Sequence, residues 1–170
     1  MKNNIDGVIV VEGSNDASFI SSIVNAQIFI TNGYDLSPDK IAFLKEVSKV
    51  NKIIILTDSD QAGDNIRNKL KKEINGVFDV IIHSNSRKNY KKNGVAEAEI
   101  NEALNALTPY FTDKPLFEED YDLVSLVSLS DNPSIKKEEI IKKYKLVRGN
   151  NRYLENQLKM LKINKEELWK

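Results

Sequence analysis

The sequence predicts an α/β fold: a mainly parallel four-stranded sheet flanked by helices, followed by a small α-helical C-terminal domain. Three observations support this prediction. Four short runs are rich in Val and Ile, as buried strands are. The segments between them have apolar residues at helical spacing. Strand and helix patterns also alternate four times within the first 108 residues, which is typical of a parallel sheet.

The strand and helix patterns give the boundaries of each element. The predicted strands cover residues 7–11, 27–30, 52–57 and 78–82, and the predicted helices between and after them cover residues 16–25, 38–50, 60–74 and 95–107. Three further helical patterns, with no strand pattern among them, cover residues 121–129, 135–144 and 150–161. We therefore predict an α/β domain over residues 1–108, a linker over 109–117 and a small helical domain over 118–170.

Composition narrows the class of protein. Hydrophobic residues make up 41% of the 170, enough for a packed core. There is no cysteine, which excludes disulfides and thiolate zinc sites and suits a reducing compartment. No apolar run is long enough to span a bilayer, and the start lacks the apolar segment of a signal peptide. We expect a cytoplasmic protein without a membrane partner.

Charge is unevenly distributed along a chain whose net charge is zero. Residues 1–134 contain 14 Lys or Arg and 20 Asp or Glu, whereas residues 135–170 contain 11 and 5. An acidic body with a basic tail indicates a polyanionic partner, although a solvated helical surface gives the same pattern.

Acidic residues follow two of the predicted strands. Glu12 comes directly after the first strand, and Asp58 and Asp60 come directly after the third. The carboxyl ends of parallel strands form the usual site edge of an open α/β sheet, and residues i and i+2 of an extended chain point the same way. If the first and third strands are neighbours, the three carboxylates converge.

Converging carboxylates repel one another, and a hard cation such as Mg²⁺ relieves that repulsion. We therefore predict a Mg²⁺ site for phosphodiester cleavage, with Glu12, Asp58 and Asp60 as catalytic residues and metal ligands. Asp64, one turn into the third helix, is a further candidate ligand, and Gly63 would let the backbone approach a ligand closely. The alternative is purely structural: Glu-Gly is a common turn, and Asp60 can cap a helix.

Several motifs together resemble a known family. They are Val11-Glu12-Gly13 after the first strand, Thr31-Asn32-Gly33 after the second, and residues 57–67 (TDSDQAGDNIR) after the third. These look like the Toprim domain, a Rossmann-like fold of topoisomerases, primases and small nucleases. Thr31-Asn32-Gly33, the Lys-rich loop leading to Gly94-Val95, and the tail at residues 146–168 make the chain similar to the ribonuclease M5 family, which matures 5S ribosomal RNA.

The resemblance implies a Mg²⁺-dependent endoribonuclease that cleaves both strands of a helix in precursor 5S rRNA. It also implies, as a partner, a 5S-binding ribosomal protein of the large subunit that organises the substrate. The residue that matches Glu12 would act as general base or metal ligand, and those that match Asp58 and Asp60 would hold Mg²⁺. Three positions depart from the family pattern: Ser14 replaces a basic residue, Asp64 replaces a glutamate, and Ala96 replaces an acid.

The remaining candidate residues are predicted to contact RNA. One is Asn32, in the turn after the second strand, and another is Arg67, two turns after the acidic motif, which can pair with a phosphate or with an acid. The others lie in a basic loop and in the tail, where Tyr90 could stack on an exposed base: Arg87, Lys88, Tyr90, Lys91, Lys92, Arg148 and Arg152.

Other functions stay open at this point. A different Toprim nuclease acting on DNA, or a non-catalytic nucleic-acid-binding module, would share the fold. A receiver-type phosphoacceptor also has strand-end aspartates, but it needs no basic tail. The chain lacks the separate domain that carries a topoisomerase's tyrosine nucleophile, so we predict that water is the nucleophile.

Overall fold

The computed structural model describes residues 2–33, 36–82, 97–128 and 131–168. Its strands are β1 (Asn3–Val11), β2 (Val24–Ile30), β3 (Ile53–Asp58), β4 (Phe78–Ile82) and β5 (Phe111–Thr112). Its α-helices are α1 (Ser14–Ile23), α2 (Pro38–Val47), α3 (Gln61–Glu73), α4 (Glu97–Leu107), α5 (Leu123–Ser128), α6 (Pro133–Tyr144), α7 (Asn151–Met160) and α8 (Lys165–Leu168).

The sheet has the strand order β2-β1-β3-β4, and all four strands are parallel. This confirms the predicted α/β fold with a mainly parallel sheet, and it confirms that the first and third strands are neighbours. β5 adds a short antiparallel partner at the amino end of β1, where Asn4 pairs with Thr112. The sequence did not predict this strand, which lies within the segment expected to be a linker.

The boundaries of the elements follow local chemistry. Ser37 and Asn132 cap α2 and α6 with their side chains, and each is followed by a proline in the first turn. The first helix was predicted to continue to residue 25, but it ends at Ile23 because Val24 already pairs with Asn3 in the sheet. β-branched residues favour a strand at this position.

The chain divides into two compact units. The first contains Met1–Leu36 and Lys52–Leu116, and the second contains Ser37–Asn51 and Phe117–Lys170. The sheet belongs to the first unit, where a buried apolar cluster that includes Ile9, Ile54 and Leu107 joins strands to α1 and α4. The second unit groups α2 with the C-terminal helices, whereas the sequence placed residues 38–50 in the α/β domain. The predicted domain boundaries stay a prediction.

None of the helices that the structure describes combines the length and the apolar character needed to cross a bilayer.

Candidate functional site

Two of the predicted acids leave the sheet at the same edge. Glu12 directly follows β1, and Asp58 is the last residue of β3. Val10 pairs with Ile55 in the parallel register, so Glu12 and Asp58 lie within one residue of each other along neighbouring strands. Both residues are half-buried. The carboxyl edge of the sheet therefore carries both Glu12 and Asp58, as the strand patterns predicted.

The turn Thr31-Asn32-Gly33 after β2 holds the backbone of Glu12. The amides of Asn32 and Gly33 donate to the Glu12 carbonyl oxygen at 2.9 and 3.4 Å. The Thr31 hydroxyl also donates to this oxygen at 3.4 Å, and it lies 3.0 Å from the Gly33 carbonyl oxygen. Asn32 has φ of 55° and Gly33 has φ of 109°, conformations that Asn and Gly adopt most readily. The motif thus fixes where Glu12 leaves the sheet, and Asn32 itself is exposed.

Asp60 occupies the N-cap of α3. Its Oδ1 atom accepts a hydrogen bond of 2.8 Å from the Gly63 amide, in the geometry by which aspartate satisfies a helix N-terminus. The structural interpretation of Asp60 as a cap is therefore confirmed. A cap of this kind still leaves Asp60 exposed at the same edge as Glu12 and Asp58, so one residue can serve both roles.

Gly63 has a different role from the predicted one. A Cβ atom at this position would overlap the Asp58 carbonyl oxygen and would lie 3.0 Å from the Thr57 hydroxyl oxygen. The glycine therefore lets the first turn of α3 approach the end of β3. From the sequence alone, we expected Gly63 to let the backbone approach a ligand instead.

Arg67 is buried, with only 4% of its surface exposed. Its guanidinium donates to the Thr57 hydroxyl oxygen, to the Asp58 carbonyl oxygen at 3.0 Å and to the Asp64 carboxylate. Of the two roles that the sequence allowed for Arg67, the structure shows the pairing with an acid. Asp64 is exposed, and one of its two carboxylate oxygens binds Arg67.

Asp79 lies beside Arg67, and the sequence patterns did not single it out. It lies in β4, and its Oδ1 atom is 3.8 Å from the Arg67 Nε atom, while Lys71 pairs with its other oxygen. An acid inside an otherwise apolar strand, in the run FDVII, was the available signal. Asp79 adds a second carboxylate to the surroundings of the buried guanidinium.

The residues at the sheet edge fit a divalent cation in their chemistry. Carboxylate oxygens are the ligands that Mg²⁺ prefers, and one or two of them suffice when water and substrate phosphate complete the shell. Among the described residues no group of three His, Cys, Asp or Glu lies close enough to hold a metal by itself. The Mg²⁺ site at Glu12, Asp58 and Asp60 therefore stays a prediction.

The predicted RNA-binding residues are distributed between described and undescribed parts of the chain. Arg87, Lys88, Tyr90, Lys91 and Lys92 lie outside the described residues. The two predicted tail residues, Arg148 and Arg152, are exposed in the second unit.

Arg148 has an acidic partner in the same unit. It pairs with Glu138, and this guanidinium lowers the pKa of the Glu138 carboxyl below its usual value. Both side chains are accessible to solvent, so the pair is screened and adds little stability. An exposed, weakly held arginine can exchange its carboxylate partner for a phosphate.

The geometry and the sequence define the class of protein as one with a Toprim domain, since the Toprim domain family matches residues 7–93. A "Ribonuclease M5" of Mycoplasma genitalium is 30% identical over 167 residues, covering 98% of this chain and 94% of the relative. That of Borreliella burgdorferi is 32% identical over 167 residues, covering 96% and 91%. That of Mesoplasma florum is 37% identical over 110 residues, covering 61% and 63%. The chain belongs to the ribonuclease M5 family, as the sequence motifs predicted.

Proposed function

We propose that this protein is a Mg²⁺-dependent endoribonuclease that cleaves a double-stranded region of precursor 5S rRNA to release mature 5S rRNA. One observation carries the proposal: Glu12 and Asp58 end neighbouring parallel strands in a chain that matches ribonuclease M5 proteins over almost its whole length. The names of these relatives support a ribonuclease rather than a DNA nuclease. We also propose that the protein acts in the cytoplasm.

The residues at the sheet edge have distinct proposed roles. Glu12 would take a proton from the attacking water or help to hold the cation, and its position is set by the Thr31-Asn32-Gly33 turn. Asp58 and Asp60 would hold the cation together with the scissile phosphate. The bound cation would supply charge neutralisation at the phosphate and lower the pKa of a water molecule.

The exposed basic residues would bind the RNA backbone. Arg148 and Arg152 belong to the tail at residues 135–170, which has 11 basic and 5 acidic residues. Contacts between such basic residues and RNA phosphates weaken steeply as the salt concentration rises. We propose that Asn32 contributes from the turn after β2, and that further contacts come from residues that follow β4 in the sequence: Arg87, Lys88, Tyr90, Lys91 and Lys92. The second unit is also the proposed contact for a 5S-binding ribosomal protein.

Replacing Asp58 tests the proposal directly. Asp58→Asn keeps the shape of the side chain and removes its charge, so we expect cleavage of precursor 5S rRNA to fall by about 100-fold or more. The assay compares precursor 5S rRNA, mature 5S rRNA and duplex DNA, with Mg²⁺ or EDTA and with or without the cognate 5S-binding ribosomal protein.

Asp113→Asn is the matched control. Asp113 is exposed and also directly follows a strand, but that strand pairs with the amino end of β1, at the opposite edge of the sheet. This variant should cleave like the wild type. Undiminished cleavage by Asp58→Asn would refute the proposed site, cleavage of DNA alone would support a different Toprim nuclease, and binding without cleavage would support a non-catalytic module.

A further inference from the structure

Arg67 joins three elements behind the edge of the sheet. It lies in α3, it donates to the Thr57 hydroxyl and the Asp58 carbonyl oxygen at the end of β3, and its Nε atom lies 3.8 Å from Asp79 in β4. We propose that Arg67 is a positioning residue, which sets the place of Asp58 by holding the backbone at the end of β3. This inference rests on the proposed catalytic role of Asp58.

The guanidinium suits this role because of its shape. Its planar fork carries five N–H donors in fixed directions, so one side chain can bind a hydroxyl, a carbonyl and a carboxylate together. A lysine has the same charge but concentrates its donors on one nitrogen at the end of a flexible stem. An arginine therefore fixes the relative places of β3 and α3 in a way that charge alone does not.

Burying this charge is costly, and the surrounding acids compensate for it. An isolated buried cation is strongly disfavoured unless it is paired and hydrogen-bonded. Asp64 on the same helix and Asp79 on β4 supply two negative charges beside the guanidinium. The side chain is thus held by three elements of the same unit.

The burial of Arg67 also separates this proposal from the RNA contact that the sequence allowed. With 4% of its surface exposed, the side chain is not available to a phosphate of a bound helix. Loss of a direct RNA contact would raise KM, whereas a displaced catalytic acid lowers kcat. The two roles therefore predict different kinetics.

Arg67→Lys tests the proposal in the full-length protein. For cleavage of precursor 5S rRNA in Mg²⁺, we expect kcat to fall about 10- to 100-fold, the range for a misplaced catalytic group, with KM within about 2-fold of the wild type. Hydrogen exchange of the amides at residues 57–64 should become faster, while the rest of the sheet keeps its protection.

Lys71→Ala is the matched control, because Lys71 pairs with the same Asp79 carboxylate but is exposed on the surface of α3. It should retain the wild-type kcat and the wild-type exchange at residues 57–64. Thr57→Val is a second variant that removes one acceptor of the guanidinium and keeps the charge. It should lower kcat in the same direction by a smaller factor, and it decides the question if Arg67→Lys does not fold.

Two results would overturn the proposal. A rise in KM with unchanged kcat in Arg67→Lys would identify a direct RNA contact. Unchanged kinetics together with unchanged exchange at residues 57–64 would show that Arg67 does not position Asp58. If the wild type does not cleave RNA, the proposed function fails, but the exchange comparison still reports whether Arg67 orders the end of β3.

Discussion

Gly63 is the residue where the smallest chemical change should have a large effect at the site. A methyl group at this position meets the Asp58 carbonyl oxygen and the Thr57 side chain, both of which are part of the end of β3. Backbone atoms cannot rotate away as a flexible side chain can, so α3 or β3 would have to move. Either movement shifts Asp58 or Asp60.

We expect Gly63→Ala to reduce stability by about 1–3 kcal/mol, the usual cost of overpacking, and to reduce RNA cleavage by about 10-fold or more because the acids are displaced. Urea unfolding and single-turnover cleavage measure the two effects. Gly13→Ala is a suitable control, because the nearest atom to its Cβ would be 3.6 Å away. Wild-type cleavage by Gly63→Ala would show that the site tolerates movement of α3.

At the level of single residues, the sequence predicted where the acids lie, but it did not predict that Arg67 is buried. The strand-end positions of Glu12 and Asp58 follow from local patterns, and the cap at Asp60 follows from its place before a helix. The burial of Arg67 depends on Asp79, which lies on another strand and is twelve positions away in the chain. Such a pairing is set by the packing of β3, β4 and α3, which local patterns do not contain.

Gln157 in α7 organises the segment between α6 and α7. Its side chain is fully buried, its Oε1 atom accepts a 2.7 Å hydrogen bond from the Val147 amide, and its Nε2 atom donates to the Val147 carbonyl oxygen at 2.9 Å. The amide side chain therefore pairs with the backbone as a neighbouring strand would. It holds the segment that carries Arg148.

Replacing Gln157 by leucine keeps the volume and removes both hydrogen bonds to Val147, together with a longer one of 3.3 Å to the Tyr153 carbonyl oxygen. Because a buried unsatisfied backbone group costs about 1–3 kcal/mol, we expect Gln157→Leu to lower the free energy of unfolding by about 2–4 kcal/mol. Urea denaturation measures the loss. Asn156→Leu, the neighbouring and exposed amide residue, is the matched control and should change stability by less than about 1 kcal/mol.

Most elements were predictable because their periodicity is local. The four parallel strands and the helices between them follow from apolar spacing and from caps such as Ser37. β5 was not predictable, because two residues give no periodic pattern and the strand exists only through pairing with Asn4 and Ile5 of β1. A strand of this length is defined by its partner rather than by its own sequence.

Across the whole molecule, contacts distant in sequence determine how the chain divides. The Asn51 side chain donates to the Met160 carbonyl oxygen at 2.7 Å, and Lys145 pairs with Glu46 at 2.6 Å. These contacts lie within the second unit and join α2 and the turn after it to residues about 100 positions further along. The sequence analysis assigned α2 to the first domain because predicted strands precede and follow it in the chain. The grouping of α2 with the C-terminal helices depends on contacts distant in sequence, so it could not be predicted.

Tyr121 stabilises the second unit, and this stabilisation is lost at alkaline pH. The side chain is 1% exposed, and its hydroxyl donates to the Ile163 carbonyl oxygen at 2.6 Å. Burial, and to a smaller extent the negative charges of Glu119 and Glu167, raises the pKa of the Tyr121 hydroxyl well above its usual value. The folded protein therefore keeps this tyrosine neutral at a pH where the unfolded chain ionises it.

A raised folded-state pKa stabilises the protein below the unfolded pKa of about 10, and that stabilisation is lost as pH rises from there towards the folded pKa. We therefore expect the wild type to lose stability more steeply than Tyr121→Phe between about pH 9 and pH 11, as measured by urea unfolding at fixed ionic strength. At pH 7 the variant should be less stable by about 1 kcal/mol, the net value of one hydrogen bond.

Burial raises the pKa of Tyr153 as well, so Tyr153→Phe should flatten the same curve and the double variant should flatten it further. Parallel curves for the wild type and Tyr121→Phe would show that Tyr121 ionises equally well in the folded and unfolded protein.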